Sequence, residues 1–215
     1  TGSFKEAEEL YRETLKIYRD LVEKNPDVYL PDLAISCSGL AILLRNTGSF
    51  KEAKKLYREA LKIRRELAEK SPDAYLPDLA LGCNNLAGLL CDTGSFKEAE
   101  ELLQESLKIR RELAEKNPDA YLPDLAISCN NLAYLLSDIG SFKEAEELYR
   151  EALKIRRNLA EENPKVYLPK LQLVCDNLTA LLEKTGSGRI LPEAACTTVI
   201  RPETQKQTKN SRPVC

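Results

Sequence analysis

The chain has 215 residues, 43% of them hydrophobic, with a formal net charge of −2 and no histidine. A near-neutral balance is not the footprint of a nucleic-acid-binding protein, and no run approaches the ~18 uninterrupted apolar residues of a membrane-spanning helix. The sequence begins at Thr1 without a secretory signal and contains no methionine, so we interpret it as a fragment of a longer chain.

A repeat of 46 residues organises the chain. The segment Thr-Gly-Ser-Phe begins at residues 1, 47 and 93, Ile-Gly-Ser-Phe begins at 139, and Thr-Gly-Ser-Gly begins at 185. A period between about 20 and 50 residues is typical of solenoids, in which each unit packs only on its neighbours. We therefore predict one elongated domain over residues 1–184 and a separate C-terminal tail over residues 185–215.

The predicted elements follow in chain order as two kinds of helix. A second-type helix, defined by the sequence Gly-Ser-Phe-Lys-Glu-Ala at its start, opens the chain over about residues 3–24. Three pairs follow, each with a first-type helix, defined by a Cys and the Leu residues three and seven positions later, before a second-type helix. A lone first-type helix over about residues 169–184 ends the array. The tail is predicted to form a short cap after Pro192 and then a mobile basic end.

The signals that bound these helices are clearest in the third pair. Pro123 suits the first turn of a first-type helix, because that turn does not use its backbone N–H. Gly140 is expected to end this helix in the left-handed conformation. Ser141 and Glu144 then have the spacing of a capping box that opens the next helix, and Pro164 stops it.

Four cysteines occupy one repeat column, at Cys37, Cys83, Cys129 and Cys175. Equivalent backbones of stacked repeats lie roughly 10 Å or more apart, beyond the ~7 Å limit for a disulfide. The chain also lacks a Cys-x-x-Cys pair. We therefore predict small buried thiols in a reducing, cytoplasmic compartment, and no metal site.

These repeats resemble the tetratricopeptide repeat. That family places a Trp-x2-Leu-Gly-x2-Tyr motif before an Ala-x3-Phe motif. The 46-residue unit and its Asn-Asn-Leu-Ala sequence are most similar to the kinesin-light-chain-type branch. The resemblance implies an all-α, right-handed superhelical solenoid of tetratricopeptide-like helical hairpins, whose first-type helices line a concave groove that binds an extended or helical peptide. The positions that match the motifs are Cys129, Leu132, Ala133, Leu136, Ala145 and Tyr149.

One face of the first-type helices varies between repeats, whereas the second-type helices barely change. The variable columns lie at i, i+1, i+4, i+7 and i+8, a single face distinct from the Cys/Leu stripe. Free drift would vary exposed residues of both helix types equally, so we interpret this face as ligand-contacting; drift in a recently duplicated or designed array is the alternative. The predicted contact residues are Asn84, Asn85, Gly88, Asp92, Asn130, Asn131, Tyr134, Asp138, Asp176 and Asn177.

The side chains on this face indicate a type of ligand. An Asn amide offers donors and an acceptor that match a peptide backbone. Tyr134 offers an aromatic wall, and Gly88 is expected to open a pocket. Acidic side chains on the same face favour a basic protein or peptide ligand. They are Asp92, Asp138, Asp176 and Glu183.

Catalysis is not expected of this sequence. The chain has no histidine and no nucleophile-elbow, phosphate-binding or dinucleotide-binding motif. Cys91 has no evident base or cation beside it that would lower its pKa. We therefore predict a non-enzymatic protein-interaction scaffold with no cofactor, metal, nucleic-acid or membrane partner.

A structural, self-assembling array is the alternative function, because the helices at both ends lack a repeat neighbour. Apolar side chains at the two ends are then expected to lose part of their cover and to drive weak head-to-tail association. They are Phe4, Leu10, Tyr11 and Leu15 at one end, and Leu171, Cys175, Leu178 and Leu182 at the other.

Overall fold

A computed structural model describes residues 2–186 of the chain. Over this range it contains eight α-helices and no strand, which confirms the all-α prediction and the alternation of the two helix types. The cap and mobile end predicted for the tail lie outside the described residues. The helices are α1 (Gly2–Lys24), α2 (Pro26–Asn46), α3 (Phe50–Lys70), α4 (Pro72–Asp92), α5 (Phe96–Lys116), α6 (Pro118–Asp138), α7 (Phe142–Glu162) and α8 (Pro164–Lys184).

The helices form a solenoid of hairpins. Every helix packs mainly on its neighbours in sequence, and α6 also touches α4 and α8. The even-numbered helices are therefore first-type helices that lie side by side, with the odd-numbered second-type helices packed between successive ones. Such an arrangement buries the apolar face that one hairpin alone would leave in water.

A glycine turn joins each first-type helix to the second-type helix that follows. Gly140 follows α6 with a φ of 88°, in the left-handed region that residues with a side chain rarely adopt. Gly48, Gly94 and Gly186 have φ values of 82°, 73° and 64°. The predicted left-handed cap is confirmed, and it recurs at the same place in every repeat.

The predicted capping box is absent from this turn. Ser141 is the N-terminal cap residue of α7, but its side chain makes no capping hydrogen bond. Its backbone N–H already donates to the carbonyl of Leu136 at 2.8 Å. No free donor is left there for the Glu144 carboxylate, so a backbone bond across the glycine turn replaces the expected side-chain cap.

The first-type helices begin five residues earlier than predicted. α6 starts at Pro118 instead of Pro123, and α8 starts at Pro164 instead of Pro169. The outer proline takes the first helical position, which needs no backbone N–H. The inner proline removes a single hydrogen bond, to the carbonyl four residues before it. In α6 that carbonyl belongs to the exposed Asp119, where water can satisfy it, so the helix continues.

One apolar core runs through the array from α1 to α8. Cys37, Cys83 and Cys129 are free and buried in it, as predicted. Burial raises the pKa of each of these thiols to about 12. Cys175 is disulfide-bonded instead, so the prediction is wrong at that position. The repeat spacing excludes disulfides only between members of the cysteine column, and it does not exclude a bond from Cys175 to a cysteine outside the column.

Helix α2 has the composition of a membrane span. By length and hydropathy it could cross a membrane, and half of its most apolar window is buried inside the structure. This corrects the expectation that no segment has such a composition. Packing between α1 and α3 accounts for the apolar character, because a helix covered on two sides needs apolar residues around most of its circumference.

The two ends of the array differ in how well they are covered. Leu10 and Ile17 of α1 are 64% and 51% exposed, whereas the equivalent Leu56 and Ile63 of α3 are 6% and 7% exposed. Phe4 and Tyr11 are exposed as predicted, and Leu15 is buried. At the other end the prediction of uncovered residues is wrong, because α8 packs its apolar stripe into the core against α7. The buried residues are Leu171, Cys175, Leu178 and Leu182.

Candidate functional site

An open groove of about 790 Å³ runs across the first-type helices α4, α6 and α8 and reaches the end of α2. Its volume is within the ~300–1,000 Å³ range of ligand sites in proteins. Both polar and apolar side chains line it. They are Arg45, Pro77, Asp78, Leu81, Asn84, Asn85, Gly88, Cys91, Asp92, Leu103, Arg110, Asp124, Ile127, Asn130, Asn131, Tyr134, Leu173 and Asn177.

The structure brings most of the predicted contact residues together in this groove. Those that line it are Asn84, Asn85, Gly88, Asp92, Asn130, Asn131, Tyr134 and Asn177. Asp138, Asp176 and Glu183 do not line it, although all three are exposed. The Asp176 carboxylate instead accepts a hydrogen bond from Gln172 of its own helix at 2.8 Å. On α8 the groove is therefore lined by only part of the variable face.

Asparagines are hydrogen-bonded from helix to helix across the groove. Asn131 of α6 donates from Nδ2 to Oδ1 of Asn84 in α4 at 3.3 Å. Asn177 of α8 donates in the same way to Oδ1 of Asn130 in α6 at 3.0 Å. Each bond joins the Asn two residues after the column cysteine of one repeat to the Asn one residue after the column cysteine of the repeat before it. We call this set the asparagine ladder.

The ladder stops at Asn85. The partner position in α2 is Ser38, whose hydroxyl donates to the carbonyl of Ala34 in its own helix at 2.9 Å. Asn85 makes no side-chain hydrogen bond to any residue between 2 and 186. Its whole amide, with two N–H donors and a carbonyl, is therefore available to a ligand.

Asn84 also makes hydrogen bonds to two buried serines. Its Nδ2 donates to Oγ of Ser106 at 2.5 Å and to Oγ of Ser128 at 3.1 Å. Ser106 in turn donates to the carbonyl of Ala80 at 2.9 Å, and both serines are fully buried. Asn84 thus links α4, α5 and α6, and less of its amide is left for a ligand.

An ion pair closes the α2 end of the groove. Arg45 donates from Nε to Oδ2 of Asp92 at 2.5 Å, and this bond raises the pKa of Arg45. The guanidinium lies over Gly88, where an added Cβ would be 3.0 Å from Nη1. Arg45 fills the space directly beside Gly88, although Gly88 still lines the groove. The ion pair balances the charge of Asp92.

Other carboxylates give the groove acidic groups. Asp78 and Asp124 line it from α4 and α6. Arg110, buried in α5, donates to the backbone carbonyl of Asp124 at 2.7 Å and lies 3.7 Å from its carboxylate. Burial lowers the pKa of Arg110, and the Asp124 carboxylate opposes that shift. Asp78 makes no hydrogen bond or close ion pair with a described residue, so its carboxylate can meet a cation.

An exposed apolar row recurs on the first-type helices, and its members on α4, α6 and α8 line the groove; comparison of the variable columns missed it. Its members are Ile35, Leu81, Ile127 and Leu173, which are 60%, 44%, 39% and 56% exposed. They lie two residues before the column cysteines, and two residues turn an α-helix by about 200°. The row therefore lies opposite the Cys/Leu stripe. A constant apolar column on the side expected to face water was a signal available in the sequence.

Cys91 lines the groove as a free, half-buried thiol. Burial raises its pKa, the carboxylates of Asp92 and Asp138 raise it further, and Arg45 lowers it. A thiol that stays protonated is a poor nucleophile. Among residues 2–186, no group of three or more His, Cys, Asp or Glu side chains is arranged to hold a metal ion.

Comparison with known families matches most of the array. A tetratricopeptide repeat model matches two overlapping segments, residues 32–112 and 78–158. A second tetratricopeptide repeat model matches residues 1–27. No curated protein sequence matches the chain significantly.

Solved structures share this fold. A protein from Podosopora anserina, described as a kinesin light chain with nearly identical repeats, matches with a TM-score of 0.68 and 21% identity over 92% of this chain and 85% of its own. BtubC (BKLC) from P. vanneervenii matches with a TM-score of 0.56 and 23% identity over 91% and 80%. Apo RapI matches with a TM-score of 0.62 and 20% identity over 83% and 45%. At these identities the likeness concerns the fold.

Proposed function

Because the chain belongs to the tetratricopeptide repeat family, whose stacked helices form extended binding surfaces, we propose that it is a non-enzymatic protein-interaction scaffold that binds a peptide in its groove. The open, mixed polar and apolar groove across α4, α6 and α8 is the observation that carries this proposal. Asn85 offers an unshared amide to a peptide backbone. Tyr134, 55% exposed, offers an aromatic surface to a side chain.

The charges in the groove favour a ligand with basic character. Asp92 is balanced by Arg45, and Asp124 lies near Arg110. Asp78 makes no ion pair with a described residue, although the buried Arg64 interacts with it electrostatically. Complementary charge speeds association and discriminates between partners more than it adds affinity, so a Lys or Arg of the ligand beside Asp78 would act mainly in selection.

The proposal is tested by capture of partners from a peptide or protein library, followed by affinity measurements with variants. Asn85→Ala combined with Tyr134→Ala removes a half-buried amide and an exposed ring from the groove and leaves the core intact. We expect it to weaken binding at least tenfold. Phe96→Ala is the matched control, because Phe96 is 41% exposed at the start of α5 and does not line the groove. Equal loss in both variants, or no loss in either, would contradict the proposal.

Self-association is the second candidate function, and the uncovered face of α1 favours it. Leu10 and Ile17 are exposed where their equivalents in α3 are buried. Each Leu-sized side chain that becomes buried adds roughly 1.5–3 kcal/mol. The buried stripe of α8 removes the opposite half of the head-to-tail contact, so any such association is weak. Sedimentation velocity over a range of concentrations tests it: Ile17→Lys should abolish any concentration dependence, and a wild-type chain that stays monomeric would exclude it.

A further inference from the structure

We propose that the groove selects an extended peptide in a polyproline-II-like conformation, with an apolar residue at every third position, basic residues along α4 and α6, and an acidic residue beside α8. This deepens the peptide-binding function proposed above and rests on it. The expected spacing of apolar ligand residues follows from the exposed apolar row Ile35, Leu81, Ile127 and Leu173. The expected charge pattern follows from charged residues that lie one turn earlier on the same helices.

The spacing of the row follows from the packing of the first-type helices. The hydrogen bonds from Asn131 to Asn84 and from Asn177 to Asn130 show that α4, α6 and α8 lie directly side by side. Helices in contact have axes about 8–10 Å apart. Leu81, Ile127 and Leu173 occupy the same position on three such helices, so a ligand that crosses them meets one exposed apolar side chain about every 8–10 Å.

A peptide can match this spacing in two ways. A polyproline II helix has three residues per turn and a rise of about 3.1 Å, so residues i and i+3 share one side about 9.3 Å apart. An α-helix places residues i and i+7 on one side about 10.5 Å apart. A β-strand repeats each side every two residues, about 6.7 Å, which does not match.

The polar groups of the groove favour the polyproline II conformation. An α-helix bonds its own backbone groups, whereas a polyproline II segment leaves them all unpaired. Asn85 has an unshared amide beside the row. Asn131 and Asn177 each use a single donor in the asparagine ladder, which leaves amide capacity for a ligand. A ligand with free backbone N–H and C=O groups uses these amides, and a helical ligand does not.

The charged column sets the orientation of the ligand. Each member of the apolar row is preceded, three residues earlier on its helix, by a charged residue. The charge is negative at Asp32, Asp78 and Asp124 and changes to positive at Lys170. The Lys170 ammonium lies 5.2 Å from the ring centre of Tyr167. A peptide that crosses the row in the groove therefore meets acids on α4 and α6 and a cation on α8.

Selection of random peptides of about twelve residues, long enough for four positions at a spacing of three, tests the spacing. We expect the enriched sequences to carry apolar residues at every third position. Their affinity should fall at least tenfold with Leu81→Ser combined with Ile127→Ser. It should be unchanged with Val166→Ser, an exposed residue of α8 that does not line the groove.

The outcomes separate this inference from the function on which it rests. Enrichment at another spacing overturns the inference, and so does peptide binding that survives Leu81→Ser combined with Ile127→Ser. In either case the proposed groove binding still stands if Asn85→Ala combined with Tyr134→Ala abolishes peptide binding. If no peptide is enriched over an unrelated control protein, both the inference and the proposed function are overturned.

Lys170→Asp tests the orientation of the ligand. The wild-type chain should prefer a peptide with Glu at the end beside α8 over one with Lys there, and the variant should reverse the preference. The expected preference is about fivefold, as for an exposed ion pair, and equal affinity for the two peptides overturns the orientation.

Discussion

At the scale of single residues, the neighbours of an asparagine decide its role. Asn84 and Asn85 are adjacent in α4, yet Asn84 is bonded to two buried serines and to Asn131, whereas Asn85 has no described partner. The difference arises in the neighbouring helices, where Ser106 and Ser128 face Asn84 and Ser38 turns away from Asn85. Of these two identical side chains, Asn84 thus contributes to helix packing, and Asn85 is available to bind a ligand.

The serine beneath Asn84 is expected to contribute to stability. Ser106→Ala removes a buried hydroxyl that accepts from Asn84 and donates to Ala80. Alanine already occupies the equivalent positions 60 and 152, so the change introduces no clash. We expect the free energy of unfolding to fall by about 1 kcal/mol, the usual net value of a buried hydrogen bond. Thr14→Ala, at the equivalent exposed position of α1, should change it by less than about 0.5 kcal/mol. Denaturant unfolding measures both, and equal effects would contradict the assignment.

Part of the site could be predicted from the sequence, and part could not. Residues such as Asn85 and Tyr134 differ between repeats, so comparison of repeats finds them. Leu81 and Ile127 do not differ in type, and that comparison discards them although they lie in the groove. The position of Arg45 over Gly88 could not be predicted, because it depends on the conformation of a long side chain from another helix.

At the scale of helices, ion pairs tie each second-type helix to the next. These pairs join residues 40 positions apart and recur in successive repeats. They give the second-type helices a structural reason to stay constant, so that constancy is weaker support for groove binding than the sequence comparison alone implied. The pairs are Arg12–Glu52, Arg19–Glu59, Arg58–Glu98, Arg65–Glu105 and Arg111–Glu151.

One of these pairs should give a measurable pH dependence. The hydrogen bond from Arg58, with a smaller effect of Lys54, holds the pKa of Glu98 below its ordinary value of 4.5. The carboxylate therefore stabilises the fold above that ordinary value, and the contribution is lost as the pH falls through the lowered pKa. Glu98→Gln should lower the free energy of unfolding at neutral pH by at most about 1 kcal/mol, since the groups are exposed, and by nothing in strong acid.

Thermal unfolding at neutral and acidic pH measures this difference. Glu69→Gln is the control, because Glu69 makes no ion pair within the described part of the chain. A Glu98→Gln deficit that persists in strong acid would show that packing, and not charge, causes it. High salt should reduce the deficit at neutral pH, because salt screens exposed pairs.

The helix boundaries show which local signals tertiary structure overrides. Gly140 and Pro164 end their helices as expected, because the left-handed conformation and the lost N–H act locally. Pro123 lies inside α6 and does not start it as predicted. A proline near the first turn loses one bond only, and the packing of the longer helix on α5 and α7 outweighs that loss.

At the scale of the whole molecule, the contacts are almost entirely sequential. Within residues 2–186, nearly all helix–helix contacts are between a helix and the next, and no helix distant in sequence contributes to the core. In such an array stability is approximately a sum of repeat terms and nearest-neighbour terms.

Removal of one whole repeat should therefore leave a folded chain. Deletion of residues 47–92 joins Asn46 to Thr93, so the same Thr-Gly-Ser-Phe turn follows α2. We expect six of the eight helices to remain, with unchanged helical ellipticity per residue and a lower unfolding midpoint. Peptide binding should weaken at least tenfold, because Asn85 and Leu81 are removed. Circular dichroism and affinity measurements check both effects, and a collapse of helicity would contradict the sequential account.

The sequential interfaces also determine which changes in gene length are compatible with folding. Copies that begin with the same turn sequence and share near-identical second-type helices are templates for misaligned recombination, which adds or removes DNA in whole periods. Loss of an internal segment disrupts the single core of a globular domain, whereas here an in-register exchange yields another stacked array with one more or one fewer helix across its groove. Allelic length variation in steps of one period is thus compatible with folding, and the number of ligand residues read would change with it.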